Sequence, residues 1–567
     1  MNNSTSKPKP VHRPMVGWYD PGQLAQTAVQ VAVSTIFGRH ADYRIIEALV
    51  PPSKDKVFGD EAGEPADADG IYDYTGVDTM WIDYIADTGD GWNSTYSVAY
   101  HASQPELKLP GTDQPIPRGE VLIFGGDEIY PTASRQEYRE RLIGPFEAAL
   151  PRTDPPNPHV FAVAGNHDWY DSLVSFTRLF CSRRWFGGWT TRQDRSYFAL
   201  KLPHRWWLVG TDVQLDHDVD IPQVRYFKRV VQKMGDGDRI ILCTAEPHWI
   251  YAKVYGKDDK NYSEDNLAFL ENKIFCNQQI AVYLSGDLHH YRRHATDAGL
   301  QKITAGGGGA FLHPTHGEDV KELADGYQLK KAFPPENVSR RLTWKNLGFL
   351  FLNPWFGCVT ALLYMLTCWS VMANLGTYRI NDWWLAVKTA IAASVANPTA
   401  VFWIFLVWGG FLLFTDTHSK AYRIVAGTLH GFAHVLSTFF IGWFASYVGV
   451  TWLGLPFRGV LQLLLAGLII FVLGWIVGSI VMGIYLLVSL NLFKRHANEA
   501  FSALASPDWK NFLRMRIDPD GGLTIFPIGI RRVARKWKAS SGIGGAVFVP
   551  DDGSATPPEL IESPIRI

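Results

Sequence analysis

Residues 120–130 read EVLIFGGDEIY, and this stretch decides the fold class of the chain. The apolar run from Val121 to Phe124 is followed at once by two glycines and by Asp127, a pattern typical of a buried strand that ends in a polar loop. The same pattern recurs in MWIDYIADTGD (80–90), HVFAVAGNHDWY (159–170), WWLVGTDVQ (206–214), RIILCTAEPHW (239–249) and IAVYLSGDLHHY (280–291). The sequence therefore predicts a series of buried strands, each with polar residues at its carboxyl end.

Helical patterns lie between these strands, as in SRQEYRERLIGPFEAAL (134–150) and IPQVRYFKRVVQKM (221–234). The alternation of strands and helices favours an α/β domain built in layers. In such domains ligands bind beyond the carboxyl ends of the strands. We therefore expect the polar clusters at the strand ends to come together at one site.

The composition divides the chain into parts. With 567 residues it is too long for one ordinary core, and 47% hydrophobic against 19% charged residues favours a membrane portion. Charged residues are frequent up to about residue 345 and rare from there to about residue 493. We expect a disordered polar tail over 1–18, a folded domain over 19–345, a transmembrane helical domain over 346–495 and a small cytoplasmic region over 496–567.

Four stretches are long and apolar enough to cross a hydrocarbon core of about 30 Å, near 350–373, 397–414, 424–448 and 460–490. Asn397 and Pro398 interrupt the second. Basic residues flank one side of the spans, namely Lys330, Lys331, Arg340, Arg341, Lys345, Lys420, Arg423, Lys494 and Arg495. The other side has only Arg379 and Arg458. The positive-inside rule then predicts a multi-pass protein with the first domain and both termini in the cytoplasm.

Several classes of protein are disfavoured. A formal net charge of -1 gives no basic face for nucleic acid. The five cysteines show no CxxC spacing, so neither a disulfide framework nor a thiolate zinc site is indicated. The polar N-terminus lacks the apolar run of a signal peptide.

The last 70 or so residues have a pattern of their own. FLRMRID (512–518) and LTIFPIGI (523–530), separated by PDGG, predict a β-hairpin. The basic run RRVARKWK (531–538) is interpreted as a solvated segment near anionic lipid headgroups.

The polar clusters supply oxygen and nitrogen donors, which suit Mn, Fe, Zn or Mg better than a soft thiolate site would. Loop capping is the alternative for isolated Asp, Asn and His residues of this kind. The order DxG (87–89), GDxxY (126–130), GNHD (165–168), His248 and GxxH (286–289) resembles the calcineurin-like metallophosphoesterase superfamily. DxG and GDxxY are most similar to the purple acid phosphatase branch.

The resemblance implies a layered β-sandwich flanked by helices and two metal ions. It implies that the first metal is held by Asp87, Asp127, Tyr130 and His289. It implies that the second is held by Asn166 and His248, with Asp127 bridging. A packing role near Pro131 is the alternative for Tyr130. The family also implies that His167 stabilises the transition state or protonates the leaving group, and that Asp168 orients it.

One position departs from the family. Asp287 stands where the first His of GHxH is usual. A carboxylate can still bind the second metal, and it favours harder cations. His290, next to His289, is the alternative compensating ligand.

We therefore expect a membrane-anchored phosphoesterase that cleaves a phosphomonoester or phosphodiester with a metal-activated water. A lipid-linked phosphate at the bilayer is the first substrate hypothesis. An enzyme acting on soluble nucleotides or phosphoproteins is one alternative. A membrane sensor or transporter with a regulatory metallophosphoesterase-like domain is the other, although few ionisable groups fall in the spans.

Three further patterns are interpreted structurally. The run Gly306–Gly309, with His313 and His316 after it, lacks the GK[ST] of a phosphate loop and is expected to be a turn lining the pocket. Asp212, Asp216 and Asp218 are interpreted as loop residues bordering the site. His430 and His434, at i, i+4 spacing in the third span, fit a metal, haem or proton site, but interhelical hydrogen bonding is favoured.

Overall fold

The structure is a computed structural model that describes residues 10–33, 67, 69–152, 157–213, 219–255, 265–373, 380–415, 419–540 and 545–567. The chain forms two compact units. The first, here called the sheet unit, contains Met1–Val16, Gln26–Ser339 and Ala505–Ile567. The second, here called the helical unit, contains Gly17–Ala25 and Arg340–Leu504.

Two mixed sheets form the centre of the sheet unit. The first has eight strands in the spatial order Ile71–Asp73, Phe198–Lys201, Trp206–Gly210, Arg239–Cys243, Gln279–Ser285, Gln301–Ala305, Tyr291–Ala295 and Gln328–Phe333. The second has nine, in the order Glu559–Leu560, Leu523–Ile530, Lys510–Ile517, Met80–Ile85, Val121–Phe124, His159–Ala162, Trp189–Thr191 and Trp185–Phe186, with Ile565–Arg566 beside Leu523–Ile530. The six predicted strands are all present. Wherever two of them are neighbours in a sheet, they pair in parallel.

Helices accompany both sheets. Those of the sheet unit include Trp92–Ser103, Arg135–Glu137, Gly144–Ala149, Asn166–Trp169, Val174–Phe180, Ile221–Gln232, His248–Tyr255 and Asp265–Phe269. The predicted helices at 134–150 and 221–234 are thus confirmed, the first with a π-helical turn at Tyr138–Ile143. Asp220 caps the second by accepting a hydrogen bond from the Gln223 backbone N–H.

Alternate residues of each strand enter different cores. Ile123 and Ile241 belong to one buried cluster that draws on both sheets. Their neighbours Phe124 and Ile240 belong to two other clusters, each of which joins one sheet to its helices. The strands are therefore apolar on both faces, which explains the continuous apolar runs in the sequence.

The C-terminal hairpin is part of the second sheet. The predicted hairpin is confirmed as Lys510–Ile517 and Leu523–Ile530, and the strand Lys510–Ile517 pairs antiparallel with Met80–Ile85. The expectation of a separate region over 496–567 is therefore wrong for residues 505–567. A hairpin that is buried at nearly every position needs a partner on both faces, and the sheet unit provides both.

A buried ion pair ties this hairpin to the rest of the sheet unit. Arg514 and Asp83 are register partners, with Arg514 Nε 2.6 Å from Asp83 Oδ1 and Nη2 3.1 Å from Oδ2. The guanidinium also donates to the carbonyls of Ala102 and Ile116. Each of the three guanidinium nitrogens of this fully buried cation therefore has an acceptor, which is what burial of a charge requires.

Replacing this arginine should destabilise the sheet unit strongly. We expect Arg514→Ala to lower the free energy of unfolding by about 3–5 kcal/mol, because Asp83 would remain buried without its countercharge. Denaturant unfolding of the purified full chain measures the change. Arg516→Ala, two residues along the same strand, is the matched control: its pair with Asp518 is partly exposed and should contribute less than about 1 kcal/mol. Equal losses in the two variants would contradict the assignment.

The segment before the first helix is ordered from residue 10. The His12 ring stacks on Trp92 at 4.0 Å, and the Val16 backbone N–H donates to Asp90 Oδ1 at 2.7 Å. The expected disordered tail over 1–18 is therefore wrong for residues 10–18, while residues 1–9 lie outside the described part of the chain. Contacts between distant residues fix this segment, and its polar, proline-rich composition does not reveal them.

Three of the five cations in the basic run at 531–538 have acidic partners in the sheet unit. Ion pairs join Arg531 to Glu559, Arg535 to Asp508 and Lys538 to Asp551, at N–O distances of 2.5, 3.0 and 3.1 Å. The basic side chains are exposed, as the interpretation of a solvated segment requires, and contact with anionic lipid stays a prediction. The acidic partners lie elsewhere in the sequence, so the run alone could not show them.

The helical unit contains the apolar helices. They are Pro354–Met372, Trp383–Ala396, Pro398–Phe414, Lys420–Tyr447 and Val460–Phe493, with a π-helical continuation of the fourth to Trp452. By length and composition, three in the described residues can cross a membrane: Pro354–Met372, Lys420–Trp452 and Val460–Phe493. Trp383–Ala396 and Pro398–Phe414 meet at 99° and make a fourth candidate if the bent pair is one span. The break falls at Asn397 and Pro398, as their residue types predict.

One of the two histidines in the third predicted span hydrogen-bonds to a neighbouring helix. His434 Nδ1 lies 2.7 Å from Tyr364 Oη on a neighbouring helix, and His434 Nε2 lies 3.3 Å from His430 Nε2. Within the described residues no third His, Cys, Asp or Glu joins them to form a metal-binding group. The interhelical interpretation is therefore supported for His434, whereas His430 is hydrogen-bonded to His434 within the same helix.

Candidate metal centre

The predicted ligands follow the carboxyl ends of parallel strands in both sheets. Asp87 and Asp127 follow Met80–Ile85 and Val121–Phe124 of the second sheet. Asp287 follows Gln279–Ser285 of the first sheet, and its backbone N–H donates to Asp87 Oδ1 and Oδ2 at 3.0 and 2.9 Å. These hydrogen bonds bring the ends of the two sheets together at one place.

The phenol of Tyr130 lies at the centre of the first predicted ligand set. Its Oη is 3.0 Å from Asp87 Oδ1, 3.1 Å from Asp127 Oδ2 and 2.9 Å from His289 Nε2. His289 Nε2 is also 3.6 Å from Asp87 Oδ1. The four side chains named from the sequence for the first metal therefore converge on one point, and all four are buried.

The backbone around these carboxylates is unusual. Asp87, Asp127 and Asp287 have φ values of 57°, 51° and 66°, in the left-handed region that non-glycine residues rarely adopt. A Cβ on Gly165 would collide with the Asp127 carboxylate, and one on Gly306 would collide with that of Asp87. The predicted pocket-lining run at 306–309 thus lies directly against the first ligand.

The electrostatics of the centre favour a bound cation. Burial raises the pKa of Asp87 well above its ordinary value, and the nearby carboxylates of Asp127 and Asp287 raise it further. Burial raises the pKa of Asp127 to about 7. Several buried carboxylates cannot all be ionised without a countercharge. The donors therefore fit a metal ion in type and in charge. Within the described residues, no group of three His, Cys, Asp or Glu side chains has the arrangement of a metal site, and the first predicted set also includes the Tyr130 phenol.

The second predicted set is placed by two helix starts and one strand end. Asn166 and His248 are the first residues of the helices Asn166–Trp169 and His248–Tyr255. Burial lowers the pKa of His248 to about 4, which keeps its imidazole neutral as metal binding requires. Burial, followed by the charges of Glu246 and Asp127, raises the pKa of Asp287. Direct contacts join the first set, whereas in the second set charge relates Asp127 to Asp287, and Asn166 and His248 are placed by their helices.

His167 is oriented differently from the expectation. Its Nδ1 lies 2.6 Å from the Pro131 carbonyl oxygen, to which it donates, and its backbone N–H donates to Asp127 Oδ1 at 2.9 Å. Asp168 instead accepts from the backbone N–H groups of Gly165 and Glu128 and from Tyr138 Oη. Asp168 is the third residue of a short helix and caps its start, so its carboxylate points to the loop backbone. The orienting partner of His167 is the Pro131 carbonyl.

The remaining predicted residues divide between the site and its surroundings. The His313 ring stacks on His289 at 3.8 Å, whereas His316 Nδ1 lies 2.7 Å from Ser339 Oγ. Burial, followed by the charges of Arg292 and His313, lowers the pKa of His290 well below the usual value. Its role as an alternative to Asp287 stays a prediction.

Asp212 accepts a hydrogen bond from Trp169 Nε1 at 3.0 Å, as a loop residue bordering the site would. Asp216 and Asp218 lie outside the described residues.

Three residues near the centre escaped the sequence analysis. Lys510, from the C-terminal hairpin, is fully buried, donates to the Ala310 carbonyl and helps lower the pKa of His289. No local pattern could identify it. Tyr170 and Tyr251 come one helical turn after Asn166 and His248, a spacing that could have indicated them.

Residues 80–291 match the model of the calcineurin-like phosphoesterase family. The match contains every predicted ligand of the candidate metal centre and ends before the C-terminal hairpin and the apolar helices. A search of curated proteins finds no significant match.

Two solved structures are similar to this chain at low identity. GAP50, described as the anchor in the inner membrane complex of Plasmodium, is 13% identical with a TM-score of 0.32, and the match covers 44% of this chain and 78% of that one. PhoD is 12% identical with a TM-score of 0.25, and the match covers 41% of this chain and 58% of that one. At these TM-scores neither likeness supports a conclusion about function.

Proposed function

We propose that the chain is a membrane-anchored phosphoesterase that uses two metal ions to hydrolyse a phosphomonoester or phosphodiester. The observation that carries the proposal is the convergence of Asp87, Asp127 and His289 on Tyr130 Oη at 2.9–3.1 Å. The family match supports the reaction class, because calcineurin-like phosphoesterases are metal-dependent hydrolases.

Asp87, Asp127, Tyr130 and His289 would hold the first ion, and Asn166, His248, Asp287 and Asp127 the second. Bound metals would lower the pKa of a water and offset the charge of the phosphoryl oxygens. Asp127 is suited to a bridge, because Oδ2 faces Tyr130 whereas Oδ1 accepts from the His167 backbone N–H beside Asn166. We also propose that Tyr130 binds the first metal. This ligand would make the centre similar to those of the purple acid phosphatase branch.

His167 would exchange a proton with, or hydrogen-bond to, the leaving group. Because Nδ1 donates to the Pro131 carbonyl, Nε2 is the nitrogen that would meet the substrate. We expect His167→Ala to lower kcat by about 100-fold or more while metal content stays at the wild-type level. Metal analysis and steady-state kinetics on the same preparation check both parts, and near-normal turnover would remove His167 from the mechanism.

The helical unit would anchor the enzyme, with the catalytic domain and both termini on the cytoplasmic side. Three or four candidate spans and the one-sided distribution of basic residues support this orientation. A hydrolase held at the bilayer would meet phospholipids or lipid-linked phosphates at high local concentration, so these are the proposed substrates.

The test uses the full chain in detergent or nanodiscs. The protein is stripped with a chelator, reloaded with Mn, Fe, Zn or Mg, and assayed on bis-aryl phosphate, aryl phosphate and phospholipid phosphates. Hydrolysis restored by metal is the expected result. A protein that binds no metal and cleaves no ester would refute the proposal. In the iron-loaded enzyme, a visible charge-transfer band lost in Tyr130→Phe would establish tyrosine ligation.

A further inference from the structure

Two tyrosines accompany the ligands of the second metal position. Tyr251 lies three residues after His248 in the helix His248–Tyr255, so both side chains emerge from one face of that helix. Tyr170 follows Asn166 by four residues, and Asn166 Nδ2 donates to its Oη at 3.3 Å. Each helix that presents a predicted ligand therefore also presents a phenol one turn later.

Asp287 is held at both ends. Its backbone N–H is shared between the two carboxylate oxygens of Asp87, at 3.0 and 2.9 Å, with φ at 66°. Its side-chain Oδ2 accepts a hydrogen bond from Tyr251 Oη. With Oδ2 engaged by the phenol, Oδ1 is the oxygen that remains for a cation. A fixed backbone and a fixed side chain give this carboxylate one defined direction.

The surroundings of Asp287 are rich in oxygen and negative charge. The predicted second position includes the carboxylates of Asp127 and Asp287. Together with the amide oxygen of Asn166, the second position offers three oxygen donors and one nitrogen, from His248. Hard cations such as Mn²⁺ and Mg²⁺ favour oxygen ligands, whereas Zn²⁺ binds well where nitrogen or sulfur replaces them.

We propose that Tyr251 is a positioning residue for Asp287 and that this pair makes the second metal position prefer Mn²⁺ or Mg²⁺ over Zn²⁺. The inference rests on the proposed two-metal function and specifies the ions that serve it. Tyr251 acts through Asp287: its phenol fixes the carboxylate so that one oxygen is presented to the ion. Mutation of a residue that hydrogen-bonds to a metal ligand typically lowers metal affinity by about 10–100-fold.

The test measures metal binding directly on the full chain in detergent. Stripped protein is titrated with Mn²⁺, followed by the EPR signal of free Mn²⁺, and then with Zn²⁺ in competition. We expect Tyr251→Phe to weaken the second Mn²⁺ equivalent by about 10–100-fold and to leave the first unchanged. Asp287→His should raise the Zn²⁺ over Mn²⁺ preference of the second equivalent by about 10-fold or more.

Tyr255→Phe is the matched control. Tyr255 lies one turn further along the same helix, with its ring centroid 5.9 Å from that of Tyr251, and the variant should bind both equivalents as the wild type does. In every variant, binding of the first Mn²⁺ equivalent shows that the centre is folded. A folding defect would therefore be recognised as the loss of both equivalents.

Wild-type affinity for the second Mn²⁺ in Tyr251→Phe, or an unchanged metal preference in Asp287→His, would overturn the inference alone. A wild-type chain that binds no metal would overturn the proposed function as well.

Discussion

A chain that ends at Ser339 is expected to yield no folded sheet unit, even though it contains every predicted ligand. Such a chain lacks Lys510–Ile517 and Leu523–Ile530, so Met80–Ile85, a central strand of the intact sheet, would become an unpaired edge strand. It would also leave Asp83 buried without Arg514 and expose the core that the hairpin covers. Circular dichroism, proteolysis and metal content of the purified fragment measure the outcome.

The matched control restores the missing strands without the helical unit. Residues 1–339 are joined through a flexible linker to residues 505–567, which gives every segment of the sheet unit. The linker has a short way to cover, because the Leu312 backbone N–H donates to the Ser506 carbonyl while that of Thr315 donates to Ser339 Oγ. The joined chain should fold and bind metal. A fragment 1–339 that folds equally well would show that the hairpin is dispensable.

This dependence on the hairpin marks the limit of what the sequence reveals. Asp87, Asp127 and Asp287 could be predicted as neighbours because each follows a short apolar run, and parallel strands bring their carboxyl ends to one edge. The hairpin itself was also predictable, from PDGG between two apolar runs. Its pairing with Met80–Ile85 joins residues about 430 positions apart, and local periodicity contains no information about such a partner.

The same distinction applies within the site. The GNHD pattern identifies His167 but not its partner Pro131, because a backbone carbonyl can belong to any residue type. The resemblance implies that Asp168 orients His167, whereas its position in a short helix makes Asp168 a cap. Residue identity thus indicates which groups are present, and the fold decides which atoms meet.

The proposed bridging role of Asp127 leads to the largest expected loss of activity. Asp127→Ala should abolish binding of at least the second ion and lower turnover by more than about 1,000-fold, because both proposed metal positions would share this carboxylate. Its Oδ2 faces Tyr130 Oη while Oδ1 accepts from the His167 backbone N–H. The variant would therefore also loosen the loop that presents Asn166. Metal analysis and hydrolysis of bis-aryl phosphate by the full chain measure the two effects.

The adjacent residue supplies the control for this variant. Glu128 is fully buried, and burial followed by the charge of Asp168 raises its pKa well above the usual value, so its neutral form is favoured. Glu128→Gln resembles that neutral form in shape and charge, and it should keep wild-type metal content and turnover. If Asp127→Ala and Glu128→Gln lost metal equally, the loss would come from disturbance of the buried loop. If only Asp127→Ala lost it, the carboxylate itself would be the ligand, as two ions sharing one bridge require.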